Sequence, residues 1–276
     1  MTVEGLRTEM RGCGLTALES DIVLTNVTGR PAAWLRANGE TVLGEKMITT
    51  ARGFASRRAA GEPLAYIVGS VGFHNHTFLV DERVLVPRPE TEHLVDEALE
   101  FIKDREEPRV LDVGTGSGAI ACSILSEARH SHVEALDVSA DALLVAMANA
   151  TRLGVELRLS FFLGDASAPV LRPFYDAIVA NLPYVPTSDI GASPDPVSHE
   201  PRIALDGGPD GLDQYRRFLK HAPRLLGLDS LLVMEAAPPT IGELVHLAQE
   251  AFPEGKVTIG KDYGERARLV KVVTPP

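Results

Sequence analysis

Positive charge is scarce in this chain. Across 276 residues, 27 lysines and arginines face 38 aspartates and glutamates, for a formal net charge of −11. With no cationic excess to neutralise phosphates, stable nonspecific binding to nucleic acid is not expected. Cysteine is scarcer still. Cys13 and Cys122 are the only two, far apart and without a Cys or His at ligand spacing, which argues against a disulfide framework and a structural zinc site. The eight histidines include no i, i+4 pair with an acidic third ligand, so no metal site is expected; Phe73-His74-Asn75-His76 is the nearest cluster. The single tryptophan, Trp34, reads as core. Long apolar runs are also missing. The opening residues lack an apolar h-region and no later stretch is long enough to span a bilayer, which points to a cytoplasmic protein with no membrane partner. Nothing in the sequence specifies an oligomeric state.

The chain does have enough apolar residues, 45% of the total, for one large core and a smaller unit. Residues 1–70 carry helical patterns. Thr16-Ala17-Leu18-Glu19 has capping-box form, and Leu43, Met47, Ala51 and Phe54 recur at the spacing of one helix face. Residues 71–91 read as a β-hairpin linker, with strands over 73–80 and 83–86 turning at Asp81-Glu82. Residues 92–276 alternate helices and strands: a helix over 94–102, then strands at 109–112, 133–137, 157–163, 175–180, 230–235 and 268–273. This predicts an α/β fold with a doubly wound, mainly parallel sheet, preceded by a small helical domain. Gly154 and Gly227 are expected as helix C-caps, Thr240-Ile241-Gly242-Glu243 as a capping box, and Pro253 as the end of the last helix. Residues 185–210, rich in Pro, Ser, Asp and Gly, read as an active-site loop.

Chemistry first shows in the turn after the 109–112 strand. Asp112-Val113-Gly114-Thr115-Gly116-Ser117-Gly118 places three glycines between a strand and Ala119-Ile120-Ala121-Cys122, so backbone can approach a ligand closely. Asp137, about twenty residues on, ends the next strand where a ribose-binding carboxylate belongs. Taken alone, this pattern suits a dinucleotide or S-adenosylmethionine. Asp112 would repel a pyrophosphate but could accept from an amino-acid ammonium, which favours S-adenosylmethionine. Gly164-Asp165-Ala166 adds a carboxylate at the same sheet edge, able to accept from an adenine amino group.

A second constellation, Asn181-Leu182-Pro183-Tyr184, ends the 175–180 strand. The Asn181 side-chain carbonyl and the backbone carbonyl of residue 182, aimed by Pro183, can accept both hydrogens of an NH₂ group. Tyr184 can lie against the flat face of the amide or base that carries it. Such a site catalyses by positioning the nitrogen against a methyl donor and needs no nucleophile. Amide and base acceptors both satisfy this reading.

On these motifs the chain resembles the HemK-like release-factor glutamine N5-methyltransferases, a family of class I S-adenosylmethionine-dependent methyltransferases. The resemblance runs nearly the whole length. It includes Gly61-Glu62-Pro63-Leu64-Ala65-Tyr66-Ile67, the 73–78 stretch, Val84-Leu85-Val86-Pro87-Arg88-Pro89-Glu90-Thr91-Glu92, Glu200-Pro201, Ala204-Leu205 and Gly207-Gly208-Pro209-Asp210-Gly211-Leu212. It implies an N-terminal substrate-recognition domain and methylation of the glutamine in the Gly-Gly-Gln loop of a peptide chain release factor. Also implied are Gly114–Gly118 and Asp137 at the donor, Ala166 beside adenine, and Asn181 between donor and substrate. Residues 181–184 are implied to cradle the glutamine amide, and Arg88 is a candidate substrate contact. The family usually has Asn-Pro-Pro-Tyr where this chain has Leu182, and a Gly and Gln where this chain has Ala236-Ala237-Pro238-Pro239. A small metabolite is the main alternative acceptor. An adenine of RNA or DNA is disfavoured by charge and by the helical domain's position ahead of the sheet.

Overall fold

The computed structural model describes residues 1–165, 174–191, 196–262 and 264–276. They group into two compact units, Met1–Ser70 with Gly191–His199, and Val71–Ile190 with Glu200–Pro276.

The smaller unit contains helices α1 (Val3–Gly12), α2 (Ala17–Thr28), α3 (Ala32–Ala37), α4 (Glu45–Ala59) and α5 (Leu64–Val68). The expected capping box starts α2: Glu19 N donates to Thr16 Oγ1 at 3.2 Å and Thr16 N to Glu19 Oε2 at 2.8 Å. Val3, Leu6 and Met10 of α1 pack with Val23, Leu24, Leu35, Ala51 and Ala55. The inward face of α4 thus runs through Ala51 and Ala55, while Met47, expected on it, is exposed. Trp34 packs against this core with Arg30 above its ring, the guanidinium carbon 5.0 Å from the centroid. Buried Asp21 accepts from Arg7 Nε at 3.0 Å and Arg36 Nη2 at 2.7 Å, which joins three helices through one carboxylate.

The larger unit opens with a hairpin, β1 (Ser70–Phe73) and β2 (His76–Leu79), followed by α6 (Glu92–Ile102), β3 (Arg109–Val113), α7 (Ala119–Glu127), β4 (His132–Asp137), α8 (Ala140–Leu153) and β5 (Leu159–Leu163). After these come β6 (Tyr175–Ala180), α9 (Asp213–Leu219), β7 (Leu226–Glu235), α10 (Ile241–Ala251), β8 (Lys256–Lys261) and β9 (Ala267–Val273). The seven-stranded sheet has the order β5-β4-β3-β6-β7-β9-β8. It is parallel through β7, and β9 runs antiparallel to both β7 and β8. Alternate residues supply its two cores. Val110, Ala177, Val179 and Val233 face the side covered by α6 and α7; Leu111, Ile178, Leu232 and Met234 face the side covered by α9 and α10. Burying both faces favours the near-continuous apolar strands seen in the sequence, each Val, Leu or Ile worth roughly 1.5–3 kcal/mol of transfer free energy.

Topology brings the two chemical motifs together. Strand β3 pairs with β4 on one side and β6 on the other, with Val113 opposite both Leu136 and Ala180. Strand order reverses at this point, which opens a crevice at the carboxyl ends of the strands.

Four local expectations are corrected. The hairpin turns at His74-Asn75, with His74 at φ 50°, and 83–86 is not a strand. Asp81 instead closes a short turn by accepting from Arg83 N at 3.1 Å, and Pro87 and Pro89 withhold the N–H groups a strand would use. Gly227 lies inside β7 and caps no helix. Thr240 makes no capping bond to α10, because its hydroxyl donates to the Ala237 carbonyl at 3.0 Å. Strand β8 was not expected: its lysine-bounded, half-exposed pattern is that of an edge strand, in which burial writes little into the sequence.

Candidate functional site

The carboxyl ends of β3, β4 and β6 surround a cavity of about 310 Å³, within the size range of small-molecule sites, roughly 300–1,000 Å³. Gly114, Thr115, Gly116, Ser117, Asp137, Asp165, Asn181, Leu182, Pro183 and Arg88 all line it. Asp112, Gly118 and Tyr184, expected at the site, do not. Ala166 lies outside the described residues.

One wall is made by backbone. Gly114, Gly116 and Gly118 have φ of 75°, 54° and 76°, and the turn is pinned to β4 by Gly114 N and Thr115 N, which donate to Leu136 O at 2.8 and 3.0 Å. Asp137 Oδ2 accepts from Gly116 N at 2.8 Å and Oδ1 from Ser139 N at 2.9 Å. Each oxygen keeps a further lone pair for a ligand hydroxyl, and burial pushes this carboxyl above the usual range. Gly118 works behind the wall: a Cβ there would sit 3.0 Å from Ala146 Cβ of α8, so its absence lets α7 and α8 pack closely. Asp112 is also a support. It is fully buried and accepts from Thr115 Oγ1 at 2.7 Å and Ala121 N at 3.2 Å, tying the turn to α7. Desolvation raises its pKa to about 7, and its other oxygen, Oδ1, is enclosed without a hydrogen-bond partner among the described residues. Buried Asn149 of α8, unmarked by any sequence pattern, adds a tie. It donates to Ser117 O at 2.9 Å and exchanges two hydrogen bonds with the Leu79 backbone of the hairpin.

The facing wall is made by side chains. Asn181 Nδ2 donates to Thr91 Oγ1 at 3.2 Å. Leu182 N donates to the Tyr215 hydroxyl at 3.2 Å, and that hydroxyl donates to the Glu235 carbonyl. Where a proline would carry no donor, the N–H that Leu182 restores is therefore occupied. Tyr184 is half-buried and donates from its hydroxyl to Glu235 Oε1 at 2.9 Å, with burial and the nearby carboxylate pushing its pKa up. This bond ties the strand end to the end of β7. Arg88 donates from Nη2 to Glu200 Oε2 at 2.5 Å. Close approach of the 207–211 segment completes the wall. A Cβ at Gly207 would stand 2.7 Å from the Pro183 carbonyl, and one at Gly211 would collide with the Tyr184 carbonyl.

Thr91, Tyr215 and Glu235 escaped the sequence reading. Tyr215 stands on the short helix α9, Asp213–Leu219, and nothing local marks its hydroxyl as the partner of Leu182 N. Glu235 ends a buried strand beside β6, with Met234 opposite Ala180, and only the register reveals that it lies behind Asn181.

A crevice at the reversal point of a doubly wound sheet, with a glycine turn on one side and Asn181 on the other, is the arrangement of the Rossmann-like methyltransferases. A solved ribosomal protein L11 methylase from Lactobacillus delbrueckii subsp. bulgaricus shares this fold, with a TM-score of 0.51 at 17% identity over 71% of this chain and 84% of that one. Family models agree: a methyltransferase small domain matches residues 94–192, and a PrmC N-terminal domain matches residues 7–69. Among curated relatives, the release factor glutamine methyltransferase of Bacillus anthracis is 36% identical over 91% of this chain and 90% of its own length. That of Moorella thermoacetica is 42% identical over 77% and 75%. The chain belongs to the release factor glutamine methyltransferase family.

Proposed function

We propose that the protein transfers a methyl group from S-adenosylmethionine to the side-chain amide nitrogen, N5, of the glutamine in the Gly-Gly-Gln loop of a peptide chain release factor. The observation that carries this reading is the hydrogen bond that turns Asn181 Nδ2 toward Thr91. It leaves Oδ1, with the backbone carbonyl of Leu182, to accept the two hydrogens of a primary amide.

The residues present fit the donor. A Cβ at Gly116 would meet nothing within 4 Å, so the space over the turn is open, and Asp137 and Asp165 present carboxylates to the same cavity. Gly114–Ser117 would receive the amino-acid end, Asp137 the ribose hydroxyls and Asp165 with Ala166 the adenine. When bound, the sulfonium supplies an electrophilic methyl group. The protein's share is positional. Asn181 Oδ1 and the Leu182 carbonyl hold the amide in plane, and Pro183 restricts the chain that carries them. Both acceptors draw the N–H hydrogens, which raises electron density on nitrogen as the C–N bond forms and the C–S bond breaks; the surplus proton then leaves the nitrogen. Arg88, held on Glu200, is the candidate contact for the acceptor loop.

Such a reaction belongs to the cytoplasm, where termination occurs, and no helix among the described residues is long and apolar enough to cross a membrane. Incubation with methyl-labelled donor and release factor tests the reading: label is expected on the glutamine of the Gly-Gly-Gln peptide by mass spectrometry. Label absent from that peptide, or present only in a small molecule or nucleic acid, refutes it.

A further inference from the structure

Thr91 ends a 3-10 turn, Pro89–Thr91, that runs directly into α6, and its backbone is helical at φ −72° and ψ −18°, so its hydroxyl is not placed to cap the helix. Here the side chain makes no capping bond. It is 4% exposed, lines the cavity and takes the Asn181 Nδ2 hydrogen at 3.2 Å.

What lies behind Thr91 gives that contact a direction. Buried Glu235 accepts from the Tyr184 hydroxyl at Oε1. The Thr91 hydroxyl acts on the same carboxyl, whose Oε2 is enclosed and has no partner of full hydrogen-bonding geometry. Burial raises the pKa of this carboxyl, while the Thr91 and Tyr184 hydroxyls lower it; towards the ionised carboxylate, which only accepts, Thr91 donates and keeps only lone pairs for Asn181. Asn181 must then turn its NH₂ group to Thr91 and its oxygen away. Without such a partner the two ends of an amide are nearly isosteric and interchange by rotation.

We propose that Thr91 is a specificity-setting positioning residue, which locks the Asn181 amide with Oδ1 toward the acceptor so that the site takes an NH₂ group and rejects a carboxylate. This rests on the glutamine reading of the acceptor. A glutamate side chain would bring oxygen lone pairs against two carbonyl oxygens, a repulsion that provides the discrimination. Rotation of Asn181 would replace one of those oxygens by a donor and weaken it.

The test uses the intact chain, labelled donor and two release factors, one with glutamine and one with glutamate in the Gly-Gly-Gln loop. Thr91→Val keeps the side-chain shape and removes the hydroxyl; Thr91→Ser restores it. For Thr91→Val, kcat on the glutamine substrate is expected to fall about tenfold or more, with donor Kd unchanged. The glutamate form should become a stronger competitive inhibitor relative to the KM for the glutamine form, and Thr91→Ser should return both quantities toward wild type. Glu235→Gln, which can donate to Thr91 and reverse the relay, should erode the preference as well and covers the case in which Thr91→Val does not fold. A Gln-to-Glu preference unaltered in both variants overturns the proposal, even if kcat falls, since a merely structural residue lowers rate without changing which acceptor is preferred. Wild-type protein that leaves the glutamine unlabelled overturns the acceptor reading, and the proposal with it.

Discussion

The two walls of the cavity obtain their precision in different ways. On the glycine-turn side the wall is largely backbone, held by the neighbouring strand: Gly114, Thr115 and Gly116 bond to Leu136 and Asp137. On the acceptor side each group is oriented by a side chain from elsewhere in the chain: Asn181 by Thr91, Leu182 N–H by Tyr215, Tyr184 by Glu235. A backbone wall depends on the space its glycines leave, whereas a side-chain wall depends on which hydroxyl or carboxylate stands behind it. The first is suited to a donor that does not change, the second to tuning for an acceptor.

The contrast predicts opposite failures. Asn181→Ala should lower kcat roughly 10²–10³-fold, the loss usual for a positioned polar group, while calorimetry finds donor affinity nearly unchanged; wild-type turnover would remove Asn181 from the chemistry. Gly118→Val should do the reverse. Its left-handed φ of 76° and the Ala146 contact predict about 2–3 kcal/mol of lost stability, seen as a lower Tm and weaker donor binding. A variant of unchanged Tm and donor affinity would show that the turn is not built on close packing.

Tyr215→Phe is a smaller probe of the acceptor wall. It leaves the buried Leu182 N–H without a partner, at a cost of about 1–2 kcal/mol in denaturant unfolding. In a Leu182→Pro background the N–H is already gone, so the same change should cost less; equal costs would show that the two residues are uncoupled.

A pH-dependent test concerns the support beneath the glycine turn. Asp112 has its pKa raised from 3.8 to about 7 by burial, so the folded state binds a proton that the unfolded chain has already released. The resulting stability is fully present below about pH 3.8 and is lost as pH rises through about 7. Thermal melts across this window should show a falling Tm for wild type and a flatter profile for Asp112→Asn; identical slopes would mean that the Asp112 proton does not contribute.

What could be read from the chain follows the same division. Strands 175–180 and 109–112 stood out for the apolar runs 177–180 and 110–111, which burial on both faces favours, and the glycine turn because adjacent residues specify it. The Thr16–Glu19 box was legible since both partners lie within one helical turn. Asp81-Glu82 misled because an Asx turn can sit in an irregular connection as well as in a hairpin, and Gly227 because a glycine after a helical pattern is also free to enter a strand. Tyr184 and Asp112 read as site residues, and neither lines the cavity, a difference set by burial that no local pattern encodes.

By itself, the sequence determined the alternation of elements, the glycine turn with Asp137 downstream, and a strand end able to hold a planar nitrogen, because backbone conformation and side-chain periodicity act between near neighbours. Only the tertiary structure decided which residues stand behind Asn181 and Leu182. Thr91, Tyr215 and Glu235 come from three different elements, and the sheet register with the packing of α6 and α9 sets their distances, which are non-local quantities that no stretch of sequence carries alone.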